Sequence, residues 1–492
     1  MTGEGIHILW FKRDLRFQDH EPLAAAMDAA ERSNERVLLL YLLEPSCWEQ
    51  PQYSDKHTTF IGDSIQQLNV QLAFPRVEVL QMEALEFFKW AMTQWNIKGV
   101  YSYMETGIKL TFDRDLAVGK FLKQHGIPWF EWSANGVQRG LRNRQNWVQE
   151  WYEDASKTAL YTDLNRLFAL SAPWPENTPS RWNDTLNRDP MVQKGGEIRA
   201  HKVLQSFLSE RIKRYAYSIS KPRESRRGCS RISPHLAWGN LSIRQVYHAM
   251  VEAPEVTSKR NVRAFADRLR WQAHFIQKFE SEWEYEFLPI NRGYIAIDAQ
   301  KKFDQAKFDA WKAGMTGVPL VDACMRCVAQ TGYLNFRMRA MVVSFYSQYL
   351  WQPWKPGADY LASTFTDFEP GIHYAQFQMQ SGYTGVNTIR IYNPIKQSQE
   401  HDPNGTFIKE WVKELAHLPD AYIHEPWKIP PMERMLLDLE MDPHYPIEPI
   451  VPLEKARKHA SDVLYGIKKK GVVRNEAQRI LAKHVNPSSR RS

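Results

Sequence analysis

Short apolar runs separated by amphipathic stretches open the chain. "IHILWF" and "VLLLYLLE" are followed at similar spacing by "VEVLQME", "GVYSYME" and "WFEWSA", with segments such as "TTFIGDSIQQLNVQL" between them. That alternation predicts an open parallel sheet covered by helices, a Rossmann-like α/β domain over residues 1–135. The first run is followed not by G-x-G-x-x-G but by the charged "FKRDLRFQDHEPL", so the usual dinucleotide fingerprint is missing. Residues 136–200 lose any period and are rich in Asn, Pro, Trp and Arg, which reads as a long connector wrapping the surface. From 201 to 452 the spacing turns helical, in "NVRAFADRLRWQAHFIQKFESEW", "GVPLVDACMRCVAQTGYL" and "NFRMRAMVVSFYSQYLW" among others. A large all-α domain is expected there.

Composition refines this picture in a few places. The 492 residues suffice for two or three domains. Aromatics at 13%, with 18 Trp, suit flat ligands, but a large core uses them too. The net charge of +8 equals the excess in residues 453–492, where 11 Lys/Arg face 3 Asp/Glu. This segment reads as a basic tail, either solvated or in contact with an anionic partner. Any basic groove in the body must then be local. No apolar leader and no run of 18 apolar residues occurs, so no membrane span is expected. Four cysteines argue against a disulfide framework and fit a cytoplasmic protein. Cys324 and Cys327 form a C-x-x-C inside a helical pattern without a second pair, so packed cysteines are expected and no metal.

"RRGCSRISPHLAWGNLS", residues 226–242, concentrates an arginine and small hydroxyls in one loop. It suits a surface turn leading into a helix, and equally a cradle for a polyphosphate built from backbone N–H groups and hydroxyls.

Motifs elsewhere help decide between these. "LWFKRDLRFQDHEPL", "CSRISPHLAWGNLS", "GVPLVDACMR" with "TGYLNFRMR", and "RIYNP" at 390–394 occur in an order and spacing that resembles the cryptochrome/photolyase family over nearly the whole length. The resemblance implies an α/β N-terminal domain, a helical C-terminal domain holding FAD, and blue-light chemistry. A second, antenna chromophore of unknown identity is a family option. Cys229, Ser230, Arg231, Ile232 and Ser233 match the loop that wraps the FAD pyrophosphate, and Tyr217 matches a further cofactor contact. Cys229 stands where Thr or Ser is usual, a poorer hydrogen-bond donor. "FTDFEPGIHYAQFQMQSGYTGVNTIRIYNP" matches the loop around the flavin ring, including Phe365, Thr366 and Asp367. Asp367 is the expected acceptor for the ring N3–H, with a helix N-cap as its structural alternative. Phe365 replaces a carboxylate that normally pairs with Arg339, so Arg339 needs another partner, for which Asp367 is the candidate. Gly371 stands where Asn or Asp lies beside flavin N5.

The electron-supply tryptophans are only partly present. Trp354 matches the middle one, Ala375 the flavin-proximal one, and the surface one falls near Lys301. Tyr374, Phe377, Trp351, Tyr349 and Tyr383 are candidates for another route. On the substrate side, Trp271 matches the tryptophan that packs on a flipped lesion, and Lys221, Arg337 and Arg390 match DNA contacts. Arg268, beside Asp267, replaces the lesion-binding glutamate. Ala340, next to Met341, replaces a methionine. Asn335 and Phe336 stand where (6-4) enzymes carry histidines. His373 is a candidate for proton work or a structural loop histidine. The implied activity is light-driven repair of cyclobutane pyrimidine dimers in DNA by electron transfer from reduced FAD, with a cryptochrome-type photoreceptor as the alternative and a monomer as the expected state.

Overall fold

In a computed structural model, residues 4–72, 76–170, 190–253, 259–436 and 444–485 are described. Strands β1 (Gly5–Phe11), β2 (Arg36–Leu42), β3 (Glu78–Leu80), β4 (Asn96–Tyr103) and β5 (Trp129–Trp132) form one sheet in the order β3-β2-β1-β4-β5. Every pair is parallel, with Ile8 opposite both Leu38 and Val100. Helices cover both faces, which is why the central strands are apolar at consecutive positions. Leu9, Phe11, Leu39 and Tyr41 pack with α1 (Glu21–Ser33) and α2 (Asp55–Gln71). Ile8, Trp10, Leu38 and Leu40 pack with α3 (Ala84–Gln94) and α4 (Lys109–Gln124). Each such side chain contributes about 1.5–3 kcal/mol by leaving water.

The charged segment after β1 is the joint to the helical unit. Leu15 N–H donates to the Trp238 carbonyl at 3.1 Å, and Asn240 Nδ2 donates to the Leu15 carbonyl at 2.9 Å. Arg13 lies 4.5 Å over the Trp238 ring and donates to the carbonyls of Ala237 and Phe368. Gly239 has φ 71°, and a Cβ there would sit 2.2 Å from the Arg13 carbonyl oxygen, so the Trp-Gly step of "HLAWGNLS" is a close backbone crossing.

The helical unit follows, as expected, and its elements frame one region. They are α6 (Glu197–Ser209), α7 (Pro222–Gly228), α8 (Ser233–Ala237), α9 (Lys259–Ser281), α10 (Pro319–Thr331), α11 (Phe336–Ser344), α12 (Trp354–Thr364) and α13 (Pro370–Ser381). Two segments differ from their sequence reading. The connector holds α5 (Trp147–Ser156), whose Trp147 and Trp151 are buried beside Leu204 and Phe207, while its residues 171–189 lie outside the described residues. The basic tail is not a tail over its described part, but two helices, α14 (Leu453–Lys468) and α15 (Gly471–His484). Ala460, Leu464, Val473 and Ile480 are buried from one face of each helix, leaving most of the cations outward. The dense charge had concealed a helical period.

Candidate functional site

The loop after α7 is built from backbone. Arg231 has φ 61°, a left-handed conformation, and Ile232 follows with φ −90° and ψ −6°. Opposite-handed residues in succession turn consecutive N–H groups toward one point, an anion-binding concavity. The N–H groups of Ser230, Arg231, Ile232 and Ser233 have no acceptor among the described residues. Arg211 braces the loop from behind, donating to the carbonyls of Cys229 and Ser230, and to that of Val203 at 2.6 Å. A non-glycine residue at positive φ is a local cost of about 1–3 kcal/mol, the kind held at ligand sites.

The Arg231 side chain does not take part in this cradle. Its guanidinium lies 3.6 Å over the Tyr333 ring and donates to Gln193 Oε1 at 3.1 Å. Burial lowers its pKa. It lines an outer cleft with Arg211, Arg226 and Arg227. The guanidinium expected at the polyphosphate is thus engaged by Tyr333 and Gln193, while the Arg231 amide is left without an acceptor among the described residues. The Cys229 thiol is buried and pushed up to about 11 by that burial, so it stays neutral. Tyr217 is half exposed, and its hydroxyl accepts from Lys221 Nζ at 2.6 Å with the ammonium 3.9 Å from the ring centre.

The second wall is the loop between α12 and α13. Its backbone is tied from both sides: the Phe365 carbonyl accepts from His57 Nε2 at 2.9 Å, and the Thr366 carbonyl accepts from Trp238 Nε1 at 2.9 Å. Thr366 N–H donates to the Gly332 carbonyl at 3.1 Å. Gly332 has φ 68°, and a Cβ on it would lie 2.0 Å from Thr366 Oγ1. Arg339 Nη2 donates to Asp367 Oδ2 at 2.9 Å, and its guanidinium lies 3.8 Å from the Phe365 ring centre. The replacement partner expected for Arg339 is therefore in place. Against full burial, the Arg339 guanidinium holds the Asp367 carboxyl below its usual range. Its other oxygen, Oδ1, is buried without a hydrogen-bond partner, as are Thr366 Oγ1, Asn335 Oδ1 and Gln376 Oε1. The cap position of α13 is Glu369, so Asp367 is not the N-cap.

These features suit a dinucleotide flavin: free amides for a pyrophosphate at one end, and an orphaned ionised acceptor for a ring N–H at the other. A partly open cleft of about 90 Å³ lies beside Asp367, lined by Arg339, Phe365, His373 and Gln376 among others. At the carboxyl ends of β1 and β4, where an open sheet binds ligands, Arg114 fills the crevice with ion pairs to Glu44, Glu105 and Asp115.

Gly371 sits at a close helix crossing. A Cβ there would lie 2.7 Å from the Ile276 Cα and 3.1 Å from the Phe279 Cβ. Its missing side chain lets α13 approach α9. Met341 is fully buried in the core, and Ala340 is buried beside it. His373 donates from Nε2 to the Ala358 carbonyl at 2.7 Å, and burial pushes its pKa down to about 4, so it is a neutral structural donor.

The aromatic candidates separate into groups. Tyr374 and Phe377 each contact Trp354, with ring centres 6.2 and 6.3 Å away. From Phe377 the contacts continue to Tyr346 at 6.2 Å and to Trp311 at 4.5 Å from Tyr346. Trp311 then meets Phe308, which meets the exposed Phe303. Trp311 was missed from the sequence, although its i, i+3 spacing from Phe308 marks both as one helix face. Tyr383 instead bonds Asp298, Tyr349 stacks on Phe345, and Trp351 packs on His459. Lys301 Nζ is buried against the Ser347 and Gln352 carbonyls, its pKa pushed down to about 7 by burial.

On the outer face Trp271 is 48% exposed, held edge-on against His274 and beside Phe275. Phe336 is exposed as well. Among the described residues Arg337 and Arg390 make no ion pair, and Arg337 and Lys221 both act electrostatically on His401. Arg268 acts electrostatically on Tyr215, and Asp267 pairs with Arg270 at 3.4 Å. Cys324 and Cys327 are buried and free, and no metal-holding cluster occurs among the described residues.

Both halves of the chain are similar to known proteins. Residues 7–138 match the family model for DNA photolyase, and residues 265–465 match that for the FAD binding domain of DNA photolyase. A deoxyribodipyrimidine photo-lyase of Alkalihalophilus pseudofirmus is 27% identical over 94% of this chain and 99% of its own length. Cryptochrome DASH of Gloeobacter violaceus is 26% identical over 93% and 95%. The crystal structure of a bacterial class III photolyase from Agrobacterium tumefaciens superimposes with a TM-score of 0.81 at 23% identity, covering 96% of this chain and 99% of that one. With both halves matched in order, on a fold shared end to end and around a cradle suited to a flavin dinucleotide, the chain belongs to the cryptochrome/photolyase family.

Proposed function

We propose that this protein repairs cyclobutane pyrimidine dimers in DNA, using light and reduced FAD. The observation that carries the reading is the conjunction of the free Ser230–Ser233 amides with the unpaired Asp367 Oδ1. FAD bound there in its reduced, light-excited form would supply the single electron that opens the cyclobutane ring. The amides and the Ser230 and Ser233 hydroxyls hold the pyrophosphate, with Cys229 and Ile232 shaping the turn and Tyr217 at its edge. Asp367 accepts a ring N–H and is kept ionised by Arg339, while Phe365 and Thr366 fix its loop. Trp271 offers an exposed face on which an extruded base pair can stack, worth roughly 1–3 kcal/mol per base. Arg337, Arg390 and Lys221 position the flanking phosphates. Trp354 and Tyr374 carry electrons inward to the cofactor. The test is illumination of the purified holoprotein with dimer-containing oligonucleotides, scored by restored thymines; no light-dependent recovery rejects the reading.

A cryptochrome-type photoreceptor is the second reading. It is favoured by Arg268, a cation where the repair enzymes resembled here carry a carboxylate. We take the protein to act as a monomer in the cytoplasm. No described helix is long and apolar enough to cross a membrane.

A further inference from the structure

We propose that the turn between the two C-terminal helices, α14 and α15, is a second DNA-backbone contact that extends the lesion site beyond Arg390. This rests on the DNA reading above. An open groove of about 420 Å³ lies there, lined by Gly385, Tyr465, Lys468, Lys469, Val473 and Arg474, with Ala477. Two bonds fix it to the segment that carries Arg390. Lys468 Nζ donates to the Asn387 carbonyl at 2.7 Å, and the Tyr465 hydroxyl donates to the Ile389 carbonyl at 3.3 Å. The groove is thus continuous with a residue already placed at the phosphates.

Its charge is uncompensated. Residues 453–485 contain three carboxylates, Glu454, Asp462 and Glu476, and each is within ion-pair distance of a cation elsewhere on the hairpin: Arg457, Lys458 and Arg479. Lys468, Lys469, Lys470 and Arg474 have no acidic partner among the described residues, and Lys469, Lys470 and Arg474 are exposed. Like charges gathered at one turn repel one another, so the arrangement is stabilised by a polyanion laid across it. An extended row of cations that continues a phosphate-contacting loop fits a duplex backbone, which presents phosphates at regular intervals. The groove has no aromatic wall for a base beyond Tyr465, whose hydroxyl is already used, so the contact carries affinity and not lesion recognition.

The experiment compares wild-type holoprotein with Lys469→Ala/Arg474→Ala on three probes: a dimer-containing duplex of about 30 base pairs, a dimer-containing single strand of about five nucleotides, and anionic phosphatidylserine vesicles. On the long duplex the variant should bind about tenfold more weakly at physiological salt, with the slope of log K against log[salt] shallower by roughly 1.8, two phosphates' worth. Binding of the short strand, FAD content and Tm should be unchanged. An unchanged slope on the long duplex overturns the inference. So does an equal loss on both DNAs, which marks a general defect, or a loss confined to vesicles, which assigns the turn to lipid. If wild type fails to bind the dimer-containing short strand, the repair reading falls; the groove is still judged by its slope on the long duplex.

Discussion

Arg339 faces Asp367 at 2.9 Å while its guanidinium plane covers Phe365. A phenyl ring thus occupies the place of a second carboxylate, and one acid holds the arginine alone. The unused Asp367 oxygen stays available because Arg339 Nε is taken by the Leu334 carbonyl at 2.7 Å. Removing either member has unequal consequences. Asp367→Asn keeps the shape but loses the ionised acceptor, so FAD affinity should fall about ten- to a hundredfold, the worth of a charge-assisted bond. Arg339→Ala leaves a buried carboxylate unpaired and should cost about 3–5 kcal/mol of stability, read by urea unfolding. Because the folded pKa of Asp367 is depressed, its contribution is complete above the unfolded value near 3.9 and disappears as pH falls through the lower folded value.

Arg231 separates backbone from side chain. Arg231→Gly relieves the positive φ and keeps the amide, so FAD retention should stay within about threefold of wild type. Arg231→Pro removes the N–H and demands a negative φ, and should release FAD. Equilibrium dialysis of both variants checks this; strong loss in the glycine variant would mean that the guanidinium, not the amide, holds the phosphates.

Restoring the family's side chain at Gly371 should be harmful. Gly371→Asn drives a Cβ into the Ile276 backbone, which cannot yield as a flexible side chain would. We expect a loss of roughly 1–3 kcal/mol from overpacking, seen as a lower Tm. An unchanged Tm would show that α9 and α13 separate freely.

Electrons for photoreduction should enter from the surface side through Trp311 and Trp354. Trp311→Phe should slow flavin photoreduction in stopped illumination assays, whereas Trp351→Phe, in a different cluster, should not. Equal rates in both variants would remove Trp311 from the route.

Trp271 and Arg337 should differ in what they sense. Trp271→Ala should weaken binding of dimer-containing DNA by about ten- to a hundredfold, through lost stacking, and leave intact DNA nearly unaffected. Arg337→Ala should weaken both alike and flatten the salt dependence, because a phosphate carries no lesion information. Titrations at several salt concentrations distinguish the two.

Local pattern was enough for the strands, since residues buried on both faces must be apolar at successive positions whatever surrounds them. The loop at 229–233 stood out by its small hydroxyls and arginine, whereas the carboxylate at 367 was named only through the family resemblance. Local pattern did not reveal α14 and α15, where a helical period lay under a dense run of cations. Only the tertiary structure decided where side chains point and what they meet. Arg231 turns to Tyr333 and Gln193, brought from 102 residues later and 38 earlier in the chain, so no local rule could aim it. Gly371 is small because α9 passes 2.7 Å from where its Cβ would be. Trp311 joins Trp354 only through Tyr346 and Phe377, rings supplied by separate segments of the helical unit. Periodicity and motif chemistry are properties of neighbours along the chain, whereas aim, clearance and through-space contact depend on partners that meet only when the helices pack.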